Sequence, residues 1–192
     1  SESKYYNTAL LMDEALLLLL EKKDFVLSLG RSNRDWSFLI NAFKKIDKEL
    51  IIICDTLKIS NLPKNITILN NVWKEESYKY INNCKCMVIP IDDGEVASGE
   101  TVLLQSFSFS KPVIITKPSC LATDYVEDNI NGLIINKNIK DLEKAIYEVY
   151  ENETKYLNMC NNARLSYDEK YSLKNYGKNI GKIISDFENN RS

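Results

Sequence analysis

The chain has 192 residues, 44% apolar and 27% charged, with 25 Lys and Arg against 27 Asp and Glu and a net charge of -2. That length suits one sizeable core rather than two domains, and the balanced charge gives no global positive field to draw the chain onto nucleic acid or anionic lipid. The sequence contains no His, which excludes Ser-His-Asp and Cys-His nucleophile pairs, imidazole metal sites and a His general base.

Residues 1–23 read as a linker or N-terminal helix. Their strongest apolar run, Leu16 to Leu20, lies between Asp13-Glu14 and Glu21-Lys22-Lys23. It is far shorter than the roughly 20 apolar residues of a membrane span, and it shows neither a basic leader nor a cleavage site. Residues 24–192 read as one domain. Short apolar runs at Phe25 to Leu29, Leu50 to Cys54, Ile66 to Leu69, Cys86 to Pro90, Val113 to Thr116 and Leu133 to Ile135 are rich in Ile and Val and bounded by charged or turn residues. They predict six buried strands. Helical spacing recurs between them at Trp36 to Ile46, Glu75 to Asn83, Gly99 to Ser108 and Ile139 to Tyr150. The stretch after the second strand contains Pro63 and predicts only a short helical link. Two more helical segments follow, near Lys155 to Tyr167 and Leu173 to Phe187. In the latter, Leu173, Tyr176, Ile180, Ile183, Ile184 and Phe187 form an apolar face. Strands alternating with helices predict an α/β, Rossmann-like, doubly wound six-stranded parallel sheet with a C-terminal helical tail.

Cys54, Cys84, Cys86, Cys120 and Cys160 are odd in number and scattered, which suits reduced thiols better than a disulfide framework. Cys84 and Cys86 lack the spacing and the second pair of a zinc knuckle. Asp92 and Asp93 are adjacent carboxylates on an extended loop, where they diverge, so no metal site is expected.

Ligands of open parallel sheets bind outside the carboxyl ends of the strands, near the point where the strand order reverses. After the first strand comes Gly30-Arg31-Ser32-Asn33-Arg34-Asp35-Trp36, which sets two guanidinium groups beside a helix N-terminus. An anion would find charge and unpaired N–H groups there. The plainer alternative has Asp35 capping the helix and both Arg in solvent. After the fourth strand, Ser98 and Gly99 stand where the next helix begins. Their N–H groups can cradle a phosphate, or Ser98 can serve as an ordinary cap before Glu100.

The order of Gly30-Arg31, the strand ending at Cys54, the segment Ile66 to Trp73 and the run Gly99 to Thr116 resembles the C-terminal, donor-nucleotide-binding domain of a GT-B glycosyltransferase of family 4 type (glycosyl transferases group 1). The most specific segment is Ser98 to Ile114, which resembles the family's loop, helix and "G-x-P-V-I" strand entry. Tyr125 to Ile135 resembles the segment that follows, and Asp141 to Val149 the next helix.

The resemblance implies that Arg31 and Arg34 meet a donor diphosphate, that Ser98, Gly99, Glu100 and Thr101 supply the helix N-terminus facing it, and that Val72 and Trp73 lie near the nucleobase. Gln105 takes the second position of the family's paired-Glu motif, beside the ribose. Ala97 takes the first, and Arg34 stands nearest the family's usual Lys. The chain would then be the donor half of a hexosyltransferase that moves sugar from a nucleotide-diphosphate sugar, UDP-type favoured, to a glycan or lipid-linked acceptor in cell-surface polysaccharide synthesis. Fixed positive groups would stabilise the departing nucleoside diphosphate without a metal or other cofactor. The missing partner is an N-terminal acceptor-binding domain whose face the last helix would meet, and the fragment alone is expected to be inactive. The implied location is the cytoplasm, with the full enzyme at the inner face of the membrane. The resemblance assigns no catalytic residue. The alternative is a non-catalytic nucleotide-binding subunit that needs a separate acceptor-binding chain. A receiver-type domain would need acidic groups where this chain has Gly30-Arg31 and Asn70-Asn71.

Overall fold

The apolar runs become strands because their β-branched side chains are covered on both faces, leaving the backbone to satisfy itself through a ladder. In the computed structural model, which describes residues 24–189, they are β1 (Phe25–Leu29), β2 (Glu49–Ile53), β3 (Ile66–Leu69), β4 (Cys86–Ile89), β5 (Val113–Lys117) and β6 (Gly132–Asn136). All pairings are parallel and the order is β3-β2-β1-β4-β5-β6. The order reverses between β1 and β4, and their carboxyl ends open onto the same crevice. The expected linker or N-terminal helix of residues 1–23 lies outside the described residues.

Alternate side chains of each strand serve different layers. Phe25, Leu27, Ile51, Met87 and Ile115 pack with Ile81 of α2 (Lys74–Asn83), Leu103 and Phe107 of α3 (Glu100–Ser108) and Leu121 of α4 (Cys120–Tyr125). Val26, Leu50, Ile52, Val88 and Ile114 pack with Leu39 and Phe43 of α1 (Trp36–Phe43) and with Leu142, Ile146 and Val149 of α5 (Ile139–Glu151). The sheet is thus a doubly wound central layer, the Rossmann-like arrangement the alternation predicts. α6 (Glu153–Ser166), a π-helical turn at Tyr167–Tyr171 and α7 (Leu173–Asn189) complete the described chain.

Four local differences from the sequence reading have physical reasons. The link between β2 and β3 holds no helix. Asn61 takes a φ of 61°, which a right-handed helix does not admit, and Pro63 lacks a donor. The Asn65 amide instead ties the link down by donating to the carbonyls of Phe43, Ile46 and Lys48. The short helix α4 has no counterpart among the predicted elements; Ser119 caps it by accepting from the Ala122 N–H at 3.1 Å. α3 is capped by Gly99 at a φ of 111° rather than by Ser98. Finally, α7 forms at the predicted place, but Ile180 and Ile184 are 40% and 54% exposed, as is the rest of its apolar face. Among the described residues α7 touches chiefly the π-helical turn, so the packing expected of that face is not made here. No helix among the described residues is long and apolar enough to cross a membrane.

Candidate functional site

The loops after β1 and β4 are laced together. The Asp35 N–H donates to the Pro90 carbonyl at 2.8 Å and the Asp92 N–H to the Asn33 carbonyl. The Asn33 amide donates to the carbonyls of Asp93 (2.9 Å) and Val96 (3.1 Å) and accepts from the Asp93 N–H at 2.7 Å. Ser98 Oγ reaches the Ser32 carbonyl at 3.5 Å. Asp35 caps α1 by accepting from the Phe38 N–H at 2.8 Å, and it also meets Lys137, 3.3 Å away. That much of the plainer alternative holds: Asp35 is a cap.

Arg34 is not in solvent. It is 8% exposed, and its guanidinium lies between Gly30 and Gly99. A β-carbon at Gly30 would stand 3.1 Å from Nε, and one at Gly99 2.7 Å from Nη2. Both glycines have positive φ, 143° and 111°, so the backbone turns and the close approach both call for glycine. Nη1 donates to the carbonyls of Ser32 and Asn33, at 3.3 and 3.2 Å. Nε is buried with no hydrogen-bond partner, and the ion pairs among the described residues do not include Arg34. Burial lowers its pKa, while the Glu100 carboxylate pulls the other way. A guanidinium stays charged under such a shift, so the crevice holds a cation without a directly paired anion. Beside it, α3 begins without a side-chain cap, which leaves first-turn N–H groups and the positive end of the helix dipole facing the same place. Glu100, in that first turn, offsets part of this field.

Next to this point a cavity of about 290 Å³ is lined by residues that include Gly30, Arg31, Asp55, Val72, Trp73, Thr101 and Gln105. The Arg31 Nη2 is 2.8 Å from Asp55 Oδ2, and the guanidinium lies 4.6 Å from the centre of the Trp73 ring. The predicted residues Arg31, Val72, Trp73, Thr101 and Gln105 therefore share one cavity. Arg34 and Gly99 form the adjoining charged corner with Glu100, and Ser98 is joined to it through Ser32. Asp55 was missed by the sequence reading, although a carboxylate just past the carboxyl end of β2 was the available signal. A larger opening of about 750 Å³ lies between the β4–α3 loop and the Lys117–Cys120 segment. Among the described residues no group of three or more Cys, Asp or Glu side chains is placed to hold a metal ion.

The model of the glycosyl transferases group 1 family matches residues 15–166. Solved structures share the fold at low sequence identity. HepE of Anabaena, in complex with UDP and glucose, superposes with a TM-score of 0.74 at 17% identity, over 89% of this chain and 50% of that one. Sucrose-phosphate synthase of Thermosynechococcus elongatus gives 0.72 at 15% identity, over 90% and 47%. WaaG, a glycosyltransferase involved in lipopolysaccharide biosynthesis, gives 0.66 at 16% identity, over 88% and 51%. The chain spans about half the length of these structures. Among curated proteins no sequence matches it.

Proposed function

Because the chain belongs to the glycosyl transferases group 1, we propose that it is the donor-binding half of a glycosyltransferase that moves a hexose from a nucleotide-diphosphate sugar to a glycan or lipid-linked acceptor. The observation that carries this is Arg34: a buried guanidinium without an ion pair, pressed between two glycines against an uncapped helix N-terminus. Burying a charge without a partner is costly. A diphosphate at this corner would supply the missing anion. The neighbouring cavity then takes the nucleoside, with Trp73 beside the base and Gln105 within reach of a ribose hydroxyl.

In this reading Arg34, the N–H groups of the first turn of α3 and Arg31 act on the leaving group. As the sugar–phosphate bond breaks, negative charge grows on the nucleoside diphosphate, and positive groups already in place stabilise it without reorganising. UDP is favoured as the nucleotide because HepE, which shares the fold, is seen with UDP. The involvement of WaaG in lipopolysaccharide biosynthesis supports a cell-surface acceptor. The acceptor would bind to a further domain, and the assembled enzyme would work in the cytoplasm at the inner face of the membrane. A second reading, a nucleotide-binding subunit without catalysis of its own, is favoured by Ala97 and Gln105, which stand where the paired-Glu motif carries carboxylates.

Calorimetry of the 192-residue chain with UDP, GDP and ADP tests the proposal. Weak but saturable binding of UDP, stronger than of the other two and lost on Arg34→Met, is expected, with no sugar transfer by the chain alone. Absence of binding to all three nucleotides overturns it.

A further inference from the structure

We propose that Asp55 is a positioning residue that aims Arg31 at the nucleotide, an inference that rests on the nucleotide reading of the same cavity. The two residues meet because of sheet register. Leu29 and Ile53 are partners in the parallel β1–β2 ladder, and the Gly30 N–H continues it by donating to the Ile53 carbonyl at 3.2 Å. Arg31 and Asp55 each lie two residues beyond that pair, so the strands deliver both to one side of the cavity mouth. Asp55 uses a single carboxylate oxygen: Oδ2 takes Nη2 of Arg31, while Oδ1 is buried with no hydrogen-bond partner. Trp73 closes the other side, its ring 4.6 Å from the guanidinium carbon. A long side chain that is 57% exposed is thereby held at its tip by a carboxylate edge and an aromatic face. Since Asp55 takes a single Nη, other donors of the fork are left for a ligand.

Two effects of Asp55 oppose each other. Its charge weakens the local positive field, which alone would disfavour an anion. Its contact fixes the Arg31 rotamer before the ligand arrives, which favours binding by removing an ordering cost. The positioning effect prevails here, because the charge acts on an exposed, water-screened group while the contact holds the tip on two sides, and the two are separable by substitution. Asp55→Asn keeps an acceptor oxygen of the same reach and removes the charge, whereas Asp55→Ala removes both.

The test measures UDP affinity by calorimetry for the parent, Asp55→Asn, Asp55→Ala, Arg31→Ala and the Arg31→Ala/Asp55→Ala double variant, and records the Arg31 Nε–H resonance in the nucleotide-free proteins. The expected results are a loss of about two- to tenfold for Asp55→Ala, the equivalent of ordering one long side chain, and binding within about twofold of the parent for Asp55→Asn. Asp55→Ala should cost nothing further in the Arg31→Ala background, as in a closed double-mutant cycle. The Nε–H signal should be resolved in the parent and in Asp55→Asn and averaged in Asp55→Ala. Tighter binding by Asp55→Ala would make Asp55 a sequestering group and overturn the proposal. An equal loss without Arg31 would make it a direct ligand contact, and an unchanged Arg31 signal would deny the clamp. A parent that binds no nucleotide overturns the functional reading and the proposal together, whereas a parent that binds UDP while any of these results fails overturns the proposal alone.

Discussion

The guanidinium of Arg34 lies so close to Gly99 that a β-carbon at position 99 would stand 2.7 Å from Nη2. The same glycine holds a φ of 111°, so Gly99→Ala introduces both backbone strain and a displacement of the charge. The strain costs about 1 to 3 kcal/mol, and each kcal/mol lowers the melting temperature of a domain this size by about 2 to 4 °C. UDP affinity should fall more than tenfold, because the charge and the first turn of α3 no longer face one point. Thermal melting and calorimetry read the two effects separately. An unchanged affinity with the expected loss of stability would confine Gly99 to a structural role.

Removing the Arg34 charge should separate stability from binding. Arg34→Met keeps most of the volume and ends the desolvation of a charge that has no ion pair, so stability should hold within about 1 kcal/mol or rise. Nucleotide binding should be lost by a hundredfold or more, on the order of 3 kcal/mol for a buried charge-assisted contact. A variant that unfolds while the remaining folded fraction binds UDP normally would show that the two carbonyl contacts of Nη1, to Ser32 and Asn33, are the whole purpose of the residue.

Arg31 is expected to behave in the opposite proportion. Its side chain is 57% exposed, and its pair with the less exposed Asp55 lies at the mouth of the cavity, where water screens it on the arginine side, an arrangement that contributes little to folding. Arg31→Ala should therefore leave the melting temperature nearly unchanged and weaken UDP by about ten- to a hundredfold. Arg31→Lys should recover only part of this, since an ammonium does not reproduce a planar fork that stacks on Trp73. Equal affinity of all three proteins would remove Arg31 from the site.

Thiol chemistry gives a pH dependence with a definite sign. Burial pushes the Cys84 thiol up to about 12 from an ordinary value of 9.0, against a partial pull from Lys111, and burial raises Cys86 as well. Both stay neutral in the folded chain at pH values where unfolded thiols ionise. Their contribution to stability is thus complete below about pH 9 and is lost as the pH rises toward 12. Replacing both with Ala should flatten the fall in melting temperature between pH 8 and 10, while lowering stability at neutral pH through the cavities left behind. Alkylation at pH 8 should label the half-buried Cys120 and Cys160 before the buried Cys54, Cys84 and Cys86. Rapid labelling of Cys84 in the native chain would contradict this.

The strands and the order of elements were legible because they depend on local pattern. A run such as Leu50-Ile51-Ile52-Ile53 has few conformations that cover every side chain and pair every amide, and a central parallel strand satisfies both. The placement of Gly30 and Gly99 at loop exits was visible for the same reason. The resemblance pointed to Arg31, Trp73 and Gln105 together, and strand-end loops on neighbouring strands are bound to meet. The sequence by itself did not distinguish Arg34 from Arg31. Both are arginines in one short loop, and only the tertiary structure buries the first between two glycines and sets the second against Asp55 and Trp73. That division arises because burial and ion pairing depend on what a distant segment brings to the same place: here the 92–99 loop, held by Asn33, and the carboxyl end of β2, held in register with β1. The same limit applies to α7. Its apolar spacing determined a helix, but what its exposed face packs against depends on surfaces that no periodicity encodes.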